Sequence, residues 1–352
     1  MQKKTRKLTL ASQLLCLCLG TLLLGGPLGA AELESAAVKP LELPWPAQST
    51  QYLPLTDGHQ IPYLWLEQTN AQATLVIVNG RTETLLKYQE LAQHFLAQGY
   101  NVLLFDHRGQ GLSARYTEDP FKGHIDEFQT YVDDMHQLLQ RVLPEPRQHK
   151  LVLLAHSMGG AVSSLYLEQH PQVFAAAALS APMHGIQGKL LFSENDACAL
   201  GSLMSVFSSE GYAGFAAAPF KVREFAGNDL TGSRSRFDWF NELNLQYPQI
   251  QLGGPTWGWL AQSCAVFEPM RANSSSLQIP LLVLQAELDT VVSNRAQNEF
   301  CQALQQNPKS GCVTGGPVVI QGALHEVLFE QDKQRQQSLT YIDQHFAKAL
   351  AQ

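Results

Sequence analysis

Residues Leu151–Ala161 read LVLLAHSMGGA, and the interpretation of this stretch decides the fold. Leu151 to Leu154 are four bulky apolar residues with the length of a buried strand, and a helix-like run follows from Ser163. Ser157 therefore falls where strand gives way to helix. A serine at such a junction, flanked by small residues, sits on a turn sharp enough to lift its hydroxyl above a sheet edge, near the free N–H groups of the next helix. Gly159 and Gly160 supply one side, and Ala155 stands where the usual G-x-S-x-G pattern has glycine. The pentapeptide alone is only moderately specific, its alternative being a chance tight turn, so the flanking chain must decide.

Upstream, TQYLPLTDG and HQIPYLWLEQ are strand-like runs joined at Asp57-Gly58, a hairpin signal. ATLVIVNG is a third strand, followed by helical spacing of Leu85, Tyr88, Leu91, Ala92 and Phe95 that ends at Gly99; YNVLLFD is the next strand. Gly109 to Ala114 nearly match a dinucleotide-binding fingerprint, but that motif needs a helix opening from the glycines, and the charged, proline-containing RYTEDPFKG follows. The next helix carries Phe128, Val132, Met135, Leu139 and Val142 on one face, and FAAAALSAP reads as a buried strand after the Ser157 segment.

This alternation predicts an α/β fold, a mainly parallel sheet with helices on both faces. The rhythm breaks after Pro182: residues 183–278 are rich in Gly, Ser and aromatics, with no βαβ pattern. It resumes with IPLLVLQAELD, a helix near Asn294–Gln305, a strand PVVIQG and a terminal helix carrying Leu339, Ile342, Phe346 and Leu350. The expected organisation is a core over 51–182 and 279–352, interrupted by a cap (lid) insertion at 183–278.

The 352 residues are 45% apolar, enough for a large core, and carry a formal charge of −7. Setting aside Lys3, Lys4, Arg6 and Lys7, the only charged residues in 1–31, leaves −11 on the rest. An acidic body argues against a nucleic-acid partner and against adhesion to anionic lipid by charge alone. Residues 1–31 have the layout of a signal peptide: basic MQKKTRK, an apolar run from Leu8 to Leu24, and small residues ending GPLGAA. The expectation is export to a periplasmic or extracellular location, the alternative being an uncleaved inner-membrane anchor. Residues 32–50, with three prolines and no periodicity, read as a linker or arm. Cys198, Cys264, Cys301 and Cys312 remain for an oxidising compartment, and pairing Cys198 with Cys264 and Cys301 with Cys312 keeps each bridge within one unit.

A serine nucleophile needs a general base, usually a histidine oriented by a carboxylate, and in this sheet architecture the chain order is Ser, acid, His. Four histidines follow Ser157. His170 and His184 come too early for an acid to intervene in the core, and His345 reads as a solvated helix-face residue. His325, in QGALHE after the last strand, is the expected base. Of the intervening aspartates, Asp196, Asp229 and Asp238 belong to the cap, whereas Asp289 follows directly on a core strand. Glu287 is its near competitor, and it and Glu326 otherwise read as solvated loop acids. His325-Glu326 opens like a zinc helix, but Phe329 stands where the second histidine is needed, so no metal and no other cofactor is expected. The oxyanion donors expected are the N–H of Met158 and that of Arg81, in the loop after the third strand. The Arg81 guanidinium is also a candidate to face an anionic substrate group, with a surface salt bridge as the alternative.

Through these residues the chain resembles the monoacylglycerol lipase and lysophospholipase branch of the α/β-hydrolases, nearest the bacterial lysophospholipase L2 type. The similarity rests on NGRTETLLKYQELA, FDHRGQGLS, AHSMGGA, LSAPM, GGPTW, LDTVV and GALHE. It implies a triad of Ser157, Asp289 and His325 with Arg81 and Met158 lining the oxyanion hole. The chain departs from that branch at Ala155, usually glycine, and at Asn79, usually histidine in its lipases. The expected activity is removal of an acyl chain from lysophospholipids or monoacylglycerols through an acyl-enzyme, accompanied by membrane-surface association. Rival readings are a peptidase or small-ester hydrolase of the same fold, and a non-catalytic lipid binder.

Overall fold

The computed structural model describes residues 49–144, 148–188, 193–214, 218–305 and 311–352. The signal-peptide or anchor segment 1–31 and nearly all of the arm 32–50 lie outside the described residues.

The strands are β1 (Gln51–Pro54), β2 (Gln60–Leu66), β3 (Ala73–Val78), β4 (Tyr100–Phe105), β5 (Leu151–His156), β6 (Ala176–Ser180), β7 (Pro280–Ala286), β8 (Gly311–Cys312) and β9 (Val318–Ile320). They form one sheet in the order β1-β2-β4-β3-β5-β6-β7-β8, with β9 also paired to β7. The β1–β2 and β2–β4 pairs are antiparallel and the rest parallel. Every residue of β3, β4, β5 and β6 is buried. Strands covered on both faces need no polar alternation, which is why they read as unbroken apolar runs.

The helices are α1 (Gln89–Ala97), α2 (Gln129–Val142), α3 (Met158–Gln169), α4 (Glu194–Ser208), α5 (Arg234–Gln246), α6 (Trp257–Asn273), α7 (Asn294–Leu304) and α8 (Asp332–Leu350). The helical spacing from Leu85 to Phe95 resolves into a 3-10 turn over Leu85–Tyr88 followed by α1. The Leu85 N–H bonds the Asp106 carboxylate at 2.5 Å and Thr84 Oγ1 accepts from Leu86 N, so side chains satisfy the opening turn. The chain leaves β3 for β4 on one side and returns to β5 on the other. Order reverses at β3/β5, and the loops beyond the carboxyl ends of these two strands border the crevice where such sheets bind ligands.

Between β6 and β7 the described residues form α4, α5 and α6 and add no strand to the sheet. Ser193 and Asp196 make a reciprocal capping box at the start of α4, and Thr256 caps α6. Disulfide Cys198–Cys264 joins α4 to α6, and Cys301–Cys312 joins α7 to β8. His345 corrects its sequence reading. It is buried on α8 and its Nε2 donates to the Ala177 carbonyl at 3.0 Å, because α8 packs along β6 and β7.

Candidate active site

Ser157 occupies the single residue between β5 and α3, with φ +52° and ψ −119°. An L-residue holds positive φ only where its surroundings impose it. Here the Ser157 N–H donates to the Ser180 carbonyl at 3.1 Å, and its own carbonyl accepts from Met183 N at 2.9 Å. The helix begins at Met158, ahead of the run expected from Ser163, because Gly159 and Gly160 are helical despite their low propensity. A Cβ on Gly159 would lie 2.4 Å from the Val78 carbonyl oxygen and 2.5 Å from that of Asn79. Only glycine lets the elbow sit this close to the β3 loop.

His325 Nε2 is 2.9 Å from Ser157 Oγ, and His325 Nδ1 is 2.8 Å from Asp289 Oδ2. All three residues are buried or nearly so. Asp289 Oδ1 accepts from the N–H groups of Val291 and Val292 at 2.8 and 3.0 Å. Burial alone would raise this carboxyl, but the His325 bond and the two N–H groups outweigh it, so its pKa is lowered and it stays ionised. Glu287 is outside this set: it is exposed and receives the Gly322 N–H at 2.8 Å.

The N–H of Met158 opens α3, where no preceding carbonyl of the helix can reach it, and the N–H of Arg81 follows β3 on the facing loop. Neither has a main-chain acceptor among the described residues. The loop is fixed around Arg81: Gly80 N–H donates to Glu83 Oε2 at 2.6 Å, and Gln110 Nε2 donates to the Gly80 carbonyl at 2.7 Å. In a planar trans peptide that carbonyl and the Arg81 N–H point in opposite directions, so Gln110 sets the direction of the Arg81 donor. Thr82 completes the turn with φ +64°. Asn79 is tied instead to the Phe105 carbonyl and to Asp106 through Nδ2.

Three groups here escaped the sequence reading. Gln110 lay inside the discarded fingerprint, whose Gly111 approaches Asp106 so closely that a Cβ would lie 2.2 Å from its carboxylate. His156 lies against His325, their ring centroids 4.8 Å apart, and its Nδ1 donates to the Ser180 carbonyl. Burial pushes its pKa down to about 4, so it is neutral and adds no charge beside the imidazole. The third is a buried ionic cluster. Lys87 Nζ is 2.7 Å from Glu83 and 2.7 Å from Glu326, which is therefore no solvated acid but a paired one. Lysine at 87 closes a four-residue helical step from Glu83 and reaches the histidine loop, a convergence with no local sequence signal.

Next to this constellation lies a cavity of about 630 Å³, walled by Phe220, Phe237, Phe240, Leu252, Trp259 and Leu260 of the cap and by Arg81, Thr82 and Glu326 of the core loops.

A mainly parallel sheet that lifts a serine on its elbow, with a histidine and an aspartate hydrogen-bonded in series beside it, defines an α/β-hydrolase of the serine-esterase class. The chain belongs to the family described as serine aminopeptidase, S33, whose model matches residues 69–332. It is 39% identical over 275 residues to lysophospholipase L2 of Escherichia coli strain K12, covering 76% of this chain and 78% of that one. It is 35% identical over 299 residues to the probable lysophospholipase L2 of Haemophilus influenzae, covering 84% and 91% respectively. Among solved structures, a soluble variant of monoglyceride lipase from Saccharomyces cerevisiae, in complex with a substrate analog, superimposes with a TM-score of 0.69 at 17% identity, covering 89% of this chain and 99% of that one.

Proposed function

We propose that this protein is an exported lipid esterase that removes the acyl chain of a lysophospholipid or monoacylglycerol through an acyl-enzyme on Ser157. The observation that carries the reading is the unbroken hydrogen-bonded series Ser157–His325–Asp289 beside a cavity with an aromatic and aliphatic wall. Ser157 Oγ attacks the ester carbonyl carbon as His325 Nε2 takes its proton, and Asp289 holds the imidazole in its productive tautomer and stabilises the imidazolium. The N–H groups of Met158 and Arg81 receive the developing oxyanion. Collapse of the tetrahedral species breaks the acyl–oxygen bond, and the glycerol oxygen leaves with the proton from His325. Water, deprotonated by the same histidine, then attacks the acyl-enzyme and releases the fatty acid, restoring Ser157.

The aromatic and aliphatic cap wall suits an acyl chain. A peptidase taking a peptide amino terminus needs an uncommitted acid in the pocket, and Glu326, the one carboxylate among the described lining residues, is paired with Lys87. Two disulfides and the amino-terminal segment support export into an oxidising compartment. Leu203, Val206 and Phe207 on α4 are 58%, 78% and 77% exposed, an apolar face that supports engagement of a lipid surface. Among the described residues, no helix is long and apolar enough to cross a membrane.

The test is a hydrolysis panel of lysophosphatidyl lipids, monoacylglycerols, short esters and aminoacyl amides, run with wild type and Ser157→Ala. Release of fatty acid from the single-chain lipids is expected, with a loss of about a thousandfold or more in the folded variant. Turnover confined to the amides, or normal turnover in the variant, would overturn the reading.

A further inference from the structure

Arg81 brings more to the cavity than a backbone donor. Its guanidinium carbon lies 5.1 Å from the centroid of the Trp259 ring, and Nη2 donates to the Gly253 carbonyl at 2.7 Å. The chain makes room for it at Gly123, where a Cβ would lie 2.5 Å from Nη2. Its Nε is buried and has no acceptor among the described residues. Among the described residues, no carboxylate shifts its pKa. Burial first, with Arg223 adding to it against an opposing pull from Tyr131, lowers its pKa to about 10, so it is still a cation at neutral pH.

Lys221 and Arg223 line the same cavity from the cap, both exposed. The described lining residues thus include three cations against Glu326, whose charge Lys87 already meets. A half-buried guanidinium whose Nε–H is buried without an acceptor is costly, and a planar fork of donors matches the oxygens of a phosphate group. Position adds to the chemistry. In a lysophospholipid the phosphate stands one glycerol arm from the ester carbonyl. In this protein the guanidinium of Arg81 stands one side-chain length from its own N–H, the donor assigned to that carbonyl oxygen.

We propose that Arg81, with Lys221 and Arg223, forms a subsite for the phosphate of the substrate head group, so that the enzyme selects lysophospholipids over uncharged monoacylglycerols. The proposal rests on the esterase reading above. Arg81 fixes the anion at the inner end of the subsite, and the two exposed cap cations draw it in and screen it from competing substrates.

The quantity to measure is the ratio of kcat/KM for a lysophosphatidyl lipid to that for a monoacylglycerol of the same chain, below their aggregation thresholds. Wild type is expected to favour the phosphate-bearing lipid. The double variant Lys221→Ser/Arg223→Ser, altered only at exposed side chains, is expected to lower the ratio about tenfold, chiefly through KM for the lysophospholipid, and the wild-type ratio is expected to fall as salt rises. Arg81→Gln is expected to lower the ratio further and Arg81→Lys to restore part of it. A wild-type preference for the monoacylglycerol, or a ratio unmoved in all three variants, overturns the subsite. Competition by inorganic phosphate with an unmoved ratio marks a free-anion site and overturns it as well. Failure of wild type to hydrolyse either lipid, with short esters still cleaved, instead overturns the esterase reading on which the subsite rests.

Discussion

Glu326, the residue after His325, is ion-paired at 2.7 Å with Lys87, whose side chain is 2% exposed. Lys87 also holds Glu83 at 2.7 Å, and Glu83 in turn accepts from the Gly80 N–H and the Tyr88 hydroxyl. One buried lysine therefore ties the loop that presents the Arg81 N–H to the loop that presents His325. Its ammonium lies 4.6 Å from the Phe240 ring centroid on α5 and 4.4 Å from that of Phe329, so the cap covers the same charge.

Replacing Lys87 with Met leaves two buried carboxylates without their cation. The expected loss is about 3–5 kcal/mol of stability, the range for removing one partner of a buried ion pair. Chemical unfolding of the variant should show it as a lower midpoint. Glu326→Gln, which keeps the shape and leaves Glu83 paired, should cost clearly less.

Acid should weaken the protein through Glu83. Burial alone would raise this carboxyl, but Lys87 outweighs it and holds the folded value at about 2 against an ordinary 4.5. A depressed acid contributes its full stability above the unfolded value and loses it as pH falls through the folded one. Stability is therefore expected to fall between pH 4.5 and about 2, and urea midpoints across that window should show a smaller fall in Glu83→Gln. Equal pH dependence in the two proteins would remove Glu83 from the explanation.

Gln110→Ala releases the Gly80 carbonyl and with it the direction of the Arg81 N–H. A donor needed chiefly in the transition state should affect kcat more than KM. The expected fall in kcat is about tenfold to a hundredfold, below the cost of deleting an oxyanion donor outright. Steady-state kinetics on a soluble ester would read this split, and a change confined to KM would contradict it.

The Cys198–Cys264 bridge spans 66 residues and the Cys301–Cys312 bridge 11. Loop entropy assigns them about 4 and about 3 kcal/mol respectively. Cys198→Ser/Cys264→Ser should therefore lower the unfolding midpoint more than Cys301→Ser/Cys312→Ser. It should also loosen α4 from α6, measured as faster amide exchange in those two helices. The opposite ranking would show that strain or residual structure outweighs loop length.

Much of the architecture was legible from periodicity. Buried parallel strands cannot alternate polar and apolar residues, so ATLVIV, YNVLLF and LVLLAH announced themselves, and the loss of that rhythm after Pro182 marked the inserted helices. Ser157, His325 and Asp289 were accessible for a related reason: this topology constrains chain order, which leaves few candidates. The first turn of α3 is not legible as helix in the sequence because Gly159 and Gly160 are poor helix formers, and their need for close approach to Val78 and Asn79 exists only across the sheet. His345 and Glu326 were read as solvated for want of their partners, the Ala177 carbonyl and Lys87, which lie 168 and 239 positions away in the chain.

The sequence by itself determined the strands, the elbow serine and the order in which its partners follow, because these depend on local patterns and on topology. Tertiary structure alone decided the pairing of Lys87 with both carboxylates, the role of Gln110 in aiming the Arg81 N–H, and the exposure of cations to the cavity. Those depend on distances between loops far apart in the chain. Burial then makes them matter, because a charge or peptide group withdrawn from water must find its partner within the fold.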